Sequence, residues 1–277
     1  MKHILVPIDF SNNSINAITY AMELFKNTTC SFYILHVGKL NQSDIANNAF
    51  LTFPTSTEQS VEQKFKANFS KIKKLNFNTK HHFFPLLEYG NIIDKIRETV
   101  HNKKIDLIVM GTKGASGIKE KIIGSNTGDV ITKVPVNLLV IPEKATYKTL
   151  KNISFPTDYN TFYSYKILNT LTELLHLDEG NLRVINASTK KKLNIVQLKN
   201  KAYLQDYLEE VFEDTHSFHS INNMKVKNAI EDFTNDGKTD MILMAAKSIN
   251  FLQQILFDTT IQKLSFHTTV PLFVLHE

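Results

Sequence analysis

Three apolar segments in the first half of this 277-residue chain recur in its second half, in the same order. The first pair shares an apolar run, then Pro-x-Asp, then a polar residue suited to begin a helix. The three pairs are residues 3–11 with 152–160, residues 105–110 with 239–244, and residues 134–141 with 270–275. Because such matches indicate duplication rather than a short-period solenoid, we expect two copies of one domain. We place the copies at residues 1–143 and 151–277, on either side of a polar junction.

Within each copy, apolar runs alternate with segments of helical periodicity. Apolar residues at helical spacing mark helices near residues 11–25, 61–72 and 92–100, from Ser125, and near residues 162–175 and 203–212. Five strands alternating with helices predict an α/β fold. Each copy is therefore expected to be a doubly wound, mostly parallel five-stranded sheet with helices on both faces.

The composition narrows the class of protein. The net charge of +5 and the pI near 9.0 are mildly basic, but the lysines are scattered, so we expect no nucleic-acid partner. Lysine runs at residues 73–74 and 190–192 are interpreted as solvated surface, with a polyanion patch as the alternative. No signal-peptide pattern and no apolar run of about 18 residues is present, which predicts a cytoplasmic protein without a membrane partner. The single cysteine, Cys30, excludes an internal disulfide and is expected to be buried.

A glycine-bearing loop follows the apolar run at residues 105–110. The loop opens with Met110-Gly111-Thr112-Lys113-Gly114, and Gly124-Ser125 follows Gly114 after nine further residues. A strand, a glycine loop and a helix start form a geometry that binds phosphate, because backbone N–H groups point at the anion. Bare glycine backbone lets those groups approach a ligand. The helix dipole adds roughly 0.3–1 kcal/mol at an exposed site. For the lysines of this loop, phosphate contact and solvation stay equal alternatives.

Two further strand ends should meet this loop. Asp9 follows the first strand, and His36-Val37 ends the second. In doubly wound sheets ligands bind at the carboxyl ends of the strands, where the strand order reverses. We expect Asp9 to accept hydrogen bonds from a ligand such as a ribose or an adenine amino group. The alternative is a helix cap, although Ser11 already offers one.

Other motifs of nucleotide chemistry are missing. No Gly-Lys-Ser/Thr ends the loop, which excludes a P-loop, and no Gly-x-Gly-x-x-Gly follows the first strand, which argues against NAD. No nucleophile lies at a recognisable spacing from a base. The histidines at residues 81–82, 216 and 219 lack a third ligand nearby, so they are interpreted as surface residues rather than a metal site.

The motif Met-Gly-x-x-Gly, nine further residues and Gly-Ser closely resembles that of the universal stress protein family. Three other parts of the sequence belong to the same pattern: Pro7-x-Asp9, Leu35-His36-Val37 and Pro135-Val136. The resemblance extends over both copies and implies a tandem member of the family. It also implies Rossmann-like domains of the adenine nucleotide alpha hydrolase type.

The resemblance implies that the first copy binds ATP or another adenine nucleotide, either alone or together with Mg²⁺. In nucleotide-binding members, adenine and ribose lie against the residues that match Pro7, Asp9, Val37, Met110 and Gly111. The phosphates lie against the residues that match Gly114, Gly124, Ser125 and Asn126. Asn126 departs from the pattern, because many members carry an apolar residue there.

The resemblance also bears on association. The last strand of each copy, at residues 136–141 and 272–275, is apolar on both faces and would be an adhesive edge if it were exposed. The family commonly pairs these strands across a dimer axis. We therefore expect the two copies to form an intrachain pseudo-dimer through these strands, with homodimerisation as a further option.

The second copy has lost the glycine loop. Alignment of Met110 with Met244 places Ala245, Ser248, Asp258 and Thr259 at the positions of Gly111, Gly114, Gly124 and Ser125. Side chains then stand where bare backbone is wanted, and a carboxylate at a helix start would repel phosphate. We expect no ATP in this copy. Pro156 and Asp158 persist, which leaves a different small molecule as the alternative.

These features favour a stress-response regulatory module in which nucleotide binding to the first copy changes shape, partner choice or oligomeric state. A slow ATPase is a weaker alternative, because no general base is visible beside the loop. A scaffold that works without nucleotide is the third interpretation.

Overall fold

A computed structural model of the chain describes residues 1–38, 56–75, 78–112, 124–188, 192–212, 214–222, 224, 226–234, 238–247, 257–258, 263–264 and 269–277. The first copy contains, in chain order, β1 (Lys2–Pro7), α1 (Asn12–Leu24), β2 (Cys30–Gly38), α2 (Ser56–Leu75), β3 (His81–Tyr89), α3 (Ile92–Lys103), β4 (Leu107–Gly111), α4 (Ser125–Lys133) and β5 (Asn137–Ile141). The second copy contains β6 (Asn152–Pro156), α5 (Tyr165–His176), β7 (Asn181–Ser188), α6 (Ile195–Phe212), β8 (His216–Asn222), α7 (Val226–Thr234), β9 (Met241–Ala245), β10 (Phe257–Asp258), β11 (Lys263–Leu264) and β12 (Leu272–Leu275).

Ten of the described strands form one continuous sheet in the order β3-β2-β1-β4-β5-β12-β9-β6-β7-β8. Neighbouring strands within each copy are parallel. The order 3-2-1-4-5 in the first copy is mirrored by 12-9-6-7-8 in the second. The prediction of two tandem, doubly wound α/β units is therefore confirmed, and the two five-stranded sheets are joined edge to edge.

The central strands are almost wholly apolar because helices cover both faces of the sheet. One face packs against α1, α2, α5 and α6 through buried side chains such as Ile18 and Leu171. The opposite face packs against α3, α4 and α7 through side chains such as Ile96, Val130 and Ile230. Full burial of an aliphatic side chain contributes about 1.5–3 kcal/mol. Proline is tolerated at residue 85 because β3 lies at the edge of the sheet.

The two copies meet where β5 pairs antiparallel with β12. Leu139 lies opposite Phe273, and both side chains are buried in the same core. At the end of this ladder the backbone N–H of His276 donates to Oδ1 of Asn137 at 2.9 Å. Each strand covers the other's hydrogen-bonding edge, so neither is left as a template for aggregation.

The segment between the copies is held by side chains from both. Nδ2 of Asn16, on α1, lies 2.9–3.3 Å from the carbonyl oxygens of Pro142, Glu143 and Ala145. The hydroxyl of Tyr147 donates to the carboxylate of Asp178 at 2.7–2.8 Å. The polar junction is therefore a bonded part of the structure and not a free tether.

The cysteine and the histidines differ in how well their predicted exposure agrees with the structure. Cys30 is fully buried, as predicted, and burial raises the pKa of its thiol to about 11. The surface interpretation of His81 is wrong, because its imidazole is buried with Nε2 3.1 Å from the carbonyl oxygen of Phe25. His216 and His219, also interpreted as surface residues, lie in β8 and are partly buried.

A double-mutant cycle tests the seam between β5 and β12. Leu139→Ala should lower the free energy of unfolding by about 2–5 kcal/mol, because it leaves a cavity in the core. When it is combined with Phe273→Ala, the losses should deviate from additivity by about 0.5–3 kcal/mol, because the two side chains lie opposite each other. Urea denaturation measures the free energy of unfolding of each variant.

The matched control is Val184→Ala in β7, four strands away from β5, or roughly 19 Å. Its effect should add to that of Leu139→Ala, and an equal coupling for Val184 would contradict the seam.

The seam also predicts a dependence of stability on pH. Burial and, to a lesser extent, the positive charge of Lys166 lower the pKa of His276 to about 4, against about 6.5 in an unfolded chain. Between these values the unfolded state binds more protons, so the free energy of unfolding falls as the pH drops from 6.5 towards 4. His276→Gln should lose less stability than the wild type across this window, as measured by urea denaturation. His101→Gln, at an exposed position, should follow the wild type.

Candidate functional site

The strand order of the first copy reverses between β1 and β4, and the predicted site residues lie at that point. Pro7 ends β1, Asp9 follows it, and Val37 lies near the end of β2. Met110 and Gly111 end β4. Because neighbouring parallel strands end at the same edge of a sheet, the structure brings these residues to one edge. In doubly wound folds this is the crevice where ligands bind.

The turn after β1 is fixed by hydrogen bonds within a few residues. Oδ1 of Asp9 accepts from the backbone N–H of Ser11 at 3.1 Å and from its hydroxyl at 2.6 Å. The Ser11 hydroxyl oxygen accepts from the N–H of Ser14 at 3.2 Å, which makes Ser11 the N-cap of α1 as predicted. Such a cap contributes about 1 kcal/mol. The helix-cap alternative for Asp9 therefore fails, because the carboxylate orients the capping residue instead.

His36 supports the same turn from β2. Its Nδ1 lies 2.8 Å from the carbonyl oxygen of Ile8. A carbonyl oxygen only accepts, so Nδ1 carries the proton in this bond. The imidazole also stacks on Phe10, with ring centroids 4.1 Å apart, and Phe10 has a left-handed φ of 65°. His36 therefore holds the loop after β1 in place, a role that sequence reasoning missed when it treated this residue as part of a strand end.

Asn13 is a second residue that sequence reasoning missed. Its side chain is 3% exposed, and Nδ2 lies 3.5 Å from Oγ1 of Thr112. A Cβ added to Gly111 would lie 2.6 Å from Cγ and Nδ2 of Asn13, closer than atoms can approach. Sequence reasoning attributed Gly111 to the approach of a ligand, which stays a prediction, and the structure adds that Asn13 occupies the space a side chain at this position would need. The one sequence signal for this contact would have been a polar residue, Asn13, at a position of α1 that faces the core.

The start of α4 is tied directly to the end of β4. The backbone N–H of Gly124 donates to the carbonyl oxygen of Thr112, and Oγ1 of Thr127 donates to the carbonyl oxygen of Gly111 at 2.9 Å. Gly124 is the N-cap and offers no side chain to the first N–H groups of the helix. Ser125 and Asn126, the first two helical residues, are exposed. The helix start therefore presents donors and a positive dipole end at this edge.

Part of the predicted loop lies outside the described residues. This applies to Gly114 and to the three lysines, Lys113, Lys119 and Lys121. Residues 40–57 are polar and predict a long loop; they also lie mostly outside the described residues, and the last two belong to α2. The assignment of Gly114 to a phosphate stays a prediction.

The second copy keeps the backbone of the turn but changes its side chains. Tyr159, like Phe10, has a left-handed φ, and Asp158 again accepts from the N–H two residues ahead. Asn160 also donates from Nδ2 to the other oxygen of Asp158 at 2.8 Å. Asn186 stands at the position of His36 and donates to the carbonyl oxygen of residue 157 at 2.8 Å. The same scaffold is therefore built with different donors.

Side chains of the second copy cover its own turn. Gln197 and Asn200, on α6, donate at 2.8 Å to the carbonyl oxygens of Asp158 and Tyr159. In addition, α5 begins seven residues after Asp158, whereas α1 begins three residues after Asp9. The longer connection buries Tyr163, whose hydroxyl lies 2.6 Å from Oγ1 of Thr157. These side chains therefore close part of the turn in the second copy.

One expectation about the second copy is wrong. Asp258 was expected at a helix start, but it lies in β10, which pairs antiparallel with β11. Two threonines follow in the sequence, and β-branched residues favour extended structure. The predicted repulsion of phosphate by a carboxylate at a helix N-terminus therefore does not apply. Ser248 and Thr259 lie outside the described residues.

Other features of the described residues lie away from this edge. A cavity of about 300 Å³ lies beside the segment between the copies, with Tyr20, Lys144 and Asp240 in its lining. No three His, Cys, Asp or Glu side chains come together as a metal site in the described part of the chain. None of the described helices combines the length and apolar character that a membrane crossing requires.

The contact between Gly111 and Asn13 yields a stability prediction. Gly111→Ala should lower the free energy of unfolding by about 1–3 kcal/mol, because the new methyl group overlaps the buried Asn13 side chain. Asn13→Ala in the same chain should recover most of that loss by vacating the space. Urea denaturation of both single variants and the double variant checks this. If Gly111→Ala is as harmful in the Asn13→Ala background, another contact must explain the glycine.

Comparison with known proteins agrees with this geometry. The model of the universal stress protein family matches residues 1–142. The chain is 29% identical over 145 residues to universal stress protein MJ0531 of Methanocaldococcus jannaschii. The aligned region covers 50% of this chain and 81% of that protein. It is 26% identical over 160 residues to universal stress protein MJ0577 of the same organism, and this aligned region covers 52% of this chain and 96% of that protein.

A solved structure resembles the whole fold. The crystal structure of a universal stress protein from Archaeoglobus fulgidus superimposes with a TM-score of 0.69, at 17% identity, over 99% of this chain and 96% of that one. The likeness shows that the tandem arrangement of the fold occurs in a second protein. With the family match over more than half of its residues, the chain belongs to the universal stress protein family.

Proposed function

We propose that the protein is a stress-response regulator whose first copy, residues 1–143, binds ATP or another adenine nucleotide. The observation that carries this proposal is the edge formed by Asp9, the end of β4 and the start of α4. There an aspartate and a helix N-terminus without a side-chain cap lie at the switch point of the sheet. A nucleotide needs acceptors for its ribose and adenine at one end and N–H donors for its phosphates at the other.

The roles of the residues follow from their places. We assign adenine and ribose to the residues at the strand ends, which are Pro7, Asp9, Val37, Met110 and Gly111. We assign the phosphates to the loop and helix start, which contain Gly114, Gly124, Ser125 and Asn126. Since Asn13 fills the space beside Gly111, the glycine contributes backbone to the site while its side-chain position serves packing. We place any Mg²⁺ on the phosphates of the nucleotide, which offer the oxygen ligands it prefers.

We further propose that the second copy, residues 151–277, does not bind adenine nucleotide. Both oxygens of Asp158 accept from Asn160, and α6 covers the turn through Gln197 and Asn200. The ladder between β5 and β12 supports an intrachain pseudo-dimer, in which the second copy takes the place of a second subunit. The role of the second copy is then structural and regulatory, because β12 covers the edge of β5 and the second copy adds no second nucleotide.

Substitution of the aspartate that follows the first strand of each copy tests the proposal. Asp9→Asn keeps the shape and the acceptor of the turn but removes the charge that would hold ribose or adenine donors. Because a hydrogen bond to a charged group contributes about 1.5–3 kcal/mol, ATP should bind about 10–150-fold more weakly. Isothermal titration calorimetry of the purified chain measures both affinity and stoichiometry, and the wild type should bind one nucleotide.

The control is Asp158→Asn, the same change at the matching position of the second copy. It should leave the affinity and the stoichiometry of ATP binding unchanged. Two equal sites per chain, or an equal loss from Asp158→Asn, would refute the assignment of the nucleotide to the first copy. No binding of ATP, ADP or AMP by the wild type would leave the scaffold interpretation in its place.

A further inference from the structure

The first two turns of α6 have their polarity reversed relative to an ordinary surface helix. Residues facing the protein at helical spacing begin with two amides, Gln197 and Asn200, before the buried Leu204 and Leu208 take over. The outer face at the start of the helix carries the apolar residues. Ile195, Val196 and Leu198 are 74%, 59% and 53% exposed. An amphipathic helix in water normally places such residues against the core.

The exposed face is held rigidly. Asn194 and Gln197 form a reciprocal capping box, in which each side-chain oxygen accepts from the other's backbone N–H at 2.9–3.0 Å. Nδ2 of Asn200 and Nε2 of Gln197 fasten the helix to the turn after β6. The apolar side chains are therefore presented by an ordered helix start and not by a frayed end.

Neighbouring aromatic residues extend this surface. Phe162 packs on Tyr203 with ring centroids 4.5 Å apart, which joins α6 to the connection before α5. Tyr165, the first residue of α5, is 73% exposed. We call the six exposed residues the α6 face: Phe162, Tyr165, Ile195, Val196, Leu198 and Tyr203. Four of the six, Tyr165 and the three aliphatic residues, have more than half of their area in water and project from the surface, so they suit a flat partner better than a groove.

The chain between Glu179 and Asp206 carries positive charges only, while Asp158, on the turn that α6 covers, and Glu277, near Lys166, place carboxylates beside it. No Asp or Glu occurs between Glu179 and Asp206, whereas the same stretch contains Arg183 and lysines at residues 190, 191, 192, 199 and 201. Lys192 and Lys199 are exposed, as is Lys166 beside Tyr165. None of these three lysines forms an ion pair with a carboxylate that the structure describes.

We propose that the α6 face is a peripheral docking surface for a membrane that carries anionic lipid. Projecting aliphatic and aromatic side chains enter the boundary between headgroups and acyl chains, and the flanking lysines contact anionic headgroups. The sequence predicted no membrane partner because it contains no apolar run long enough to cross a bilayer, and a peripheral contact needs none. An acidic protein helix would also match the charge, but it would need a groove, and these side chains project. The proposal does not depend on nucleotide binding.

Vesicle sedimentation with the full chain tests this surface. The probes are vesicles of phosphatidylcholine alone and vesicles that contain about 30% phosphatidylserine. The wild type should sediment with the anionic vesicles, less so in about 0.5 M salt, and not with the neutral ones. Two double variants, Lys199→Gln with Lys201→Gln and Ile195→Gln with Leu198→Gln, should each lower the partition coefficient about tenfold or more.

The matched controls lie on α2 of the first copy, where Lys73, Lys74 and Leu75 are exposed. Lys73→Gln with Lys74→Gln, and separately Leu75→Gln, should leave the partition coefficient within about twofold of the wild type. Circular dichroism melts of all variants monitor folding. The proposal is overturned if the wild type does not distinguish the two kinds of vesicle, or if the control variants lose binding equally. Sedimentation equilibrium covers another outcome: a dimer abolished by Ile195→Gln with Leu198→Gln, without vesicle binding, would assign the face to a second copy of the chain.

Discussion

Antiparallel pairing of β5 with β12 is the contact on which the rest of the structure depends. Each strand is apolar on both faces, so either one alone would expose an edge that attracts other chains. Pairing them places both strands at the centre of a ten-stranded sheet, whose edge strands among the described residues are β3 and β8. The hydrogen bonds between Asn16 and the connecting segment, and between His276 and Asn137, then fix the two copies to each other. The remaining features of the molecule are differences between two copies that share this ten-stranded sheet.

Those differences concentrate at the carboxyl ends of the strands. Both copies keep the aspartate after the first strand, the left-handed residue beside it and a side-chain donor from the next strand. In the second copy the turn is then covered by amides from α6 and by Tyr163, whereas in the first it adjoins a helix start without a side-chain cap. Duplication thus preserved the scaffold, which both cores require, while the chemistry at the edge diverged. The same helix that closes the second edge carries the α6 face on its outer side.

Gly111 shows how a motif can be recognised for one reason and required for another. Its place in the glycine loop pointed to backbone exposed to a ligand, yet the structure fills its side-chain position with Asn13. His36 similarly entered as part of a strand end and proved to hold the loop after β1. In both cases the partner lies on a different element, and sequence spacing within one element carries no information about it. Asp258 failed for a related reason, because the helix expected from alignment with Gly124 is replaced by a short strand pair.

The sequence by itself determined the α/β class, the duplication and the order of elements in the first copy. Helical periodicity and continuous apolar strands are local signals, and a parallel sheet covered on both faces requires them. The sequence also determined which residues lie at the switch point, since parallel strands must end at the same edge. Only the tertiary structure decided the antiparallel register of β5 and β12, which side chain stands beside Gly111, and that α6 turns its amides inward and its aliphatic residues outward. Those outcomes depend on contacts between segments far apart in the chain, where packing and hydrogen-bond satisfaction override local preference.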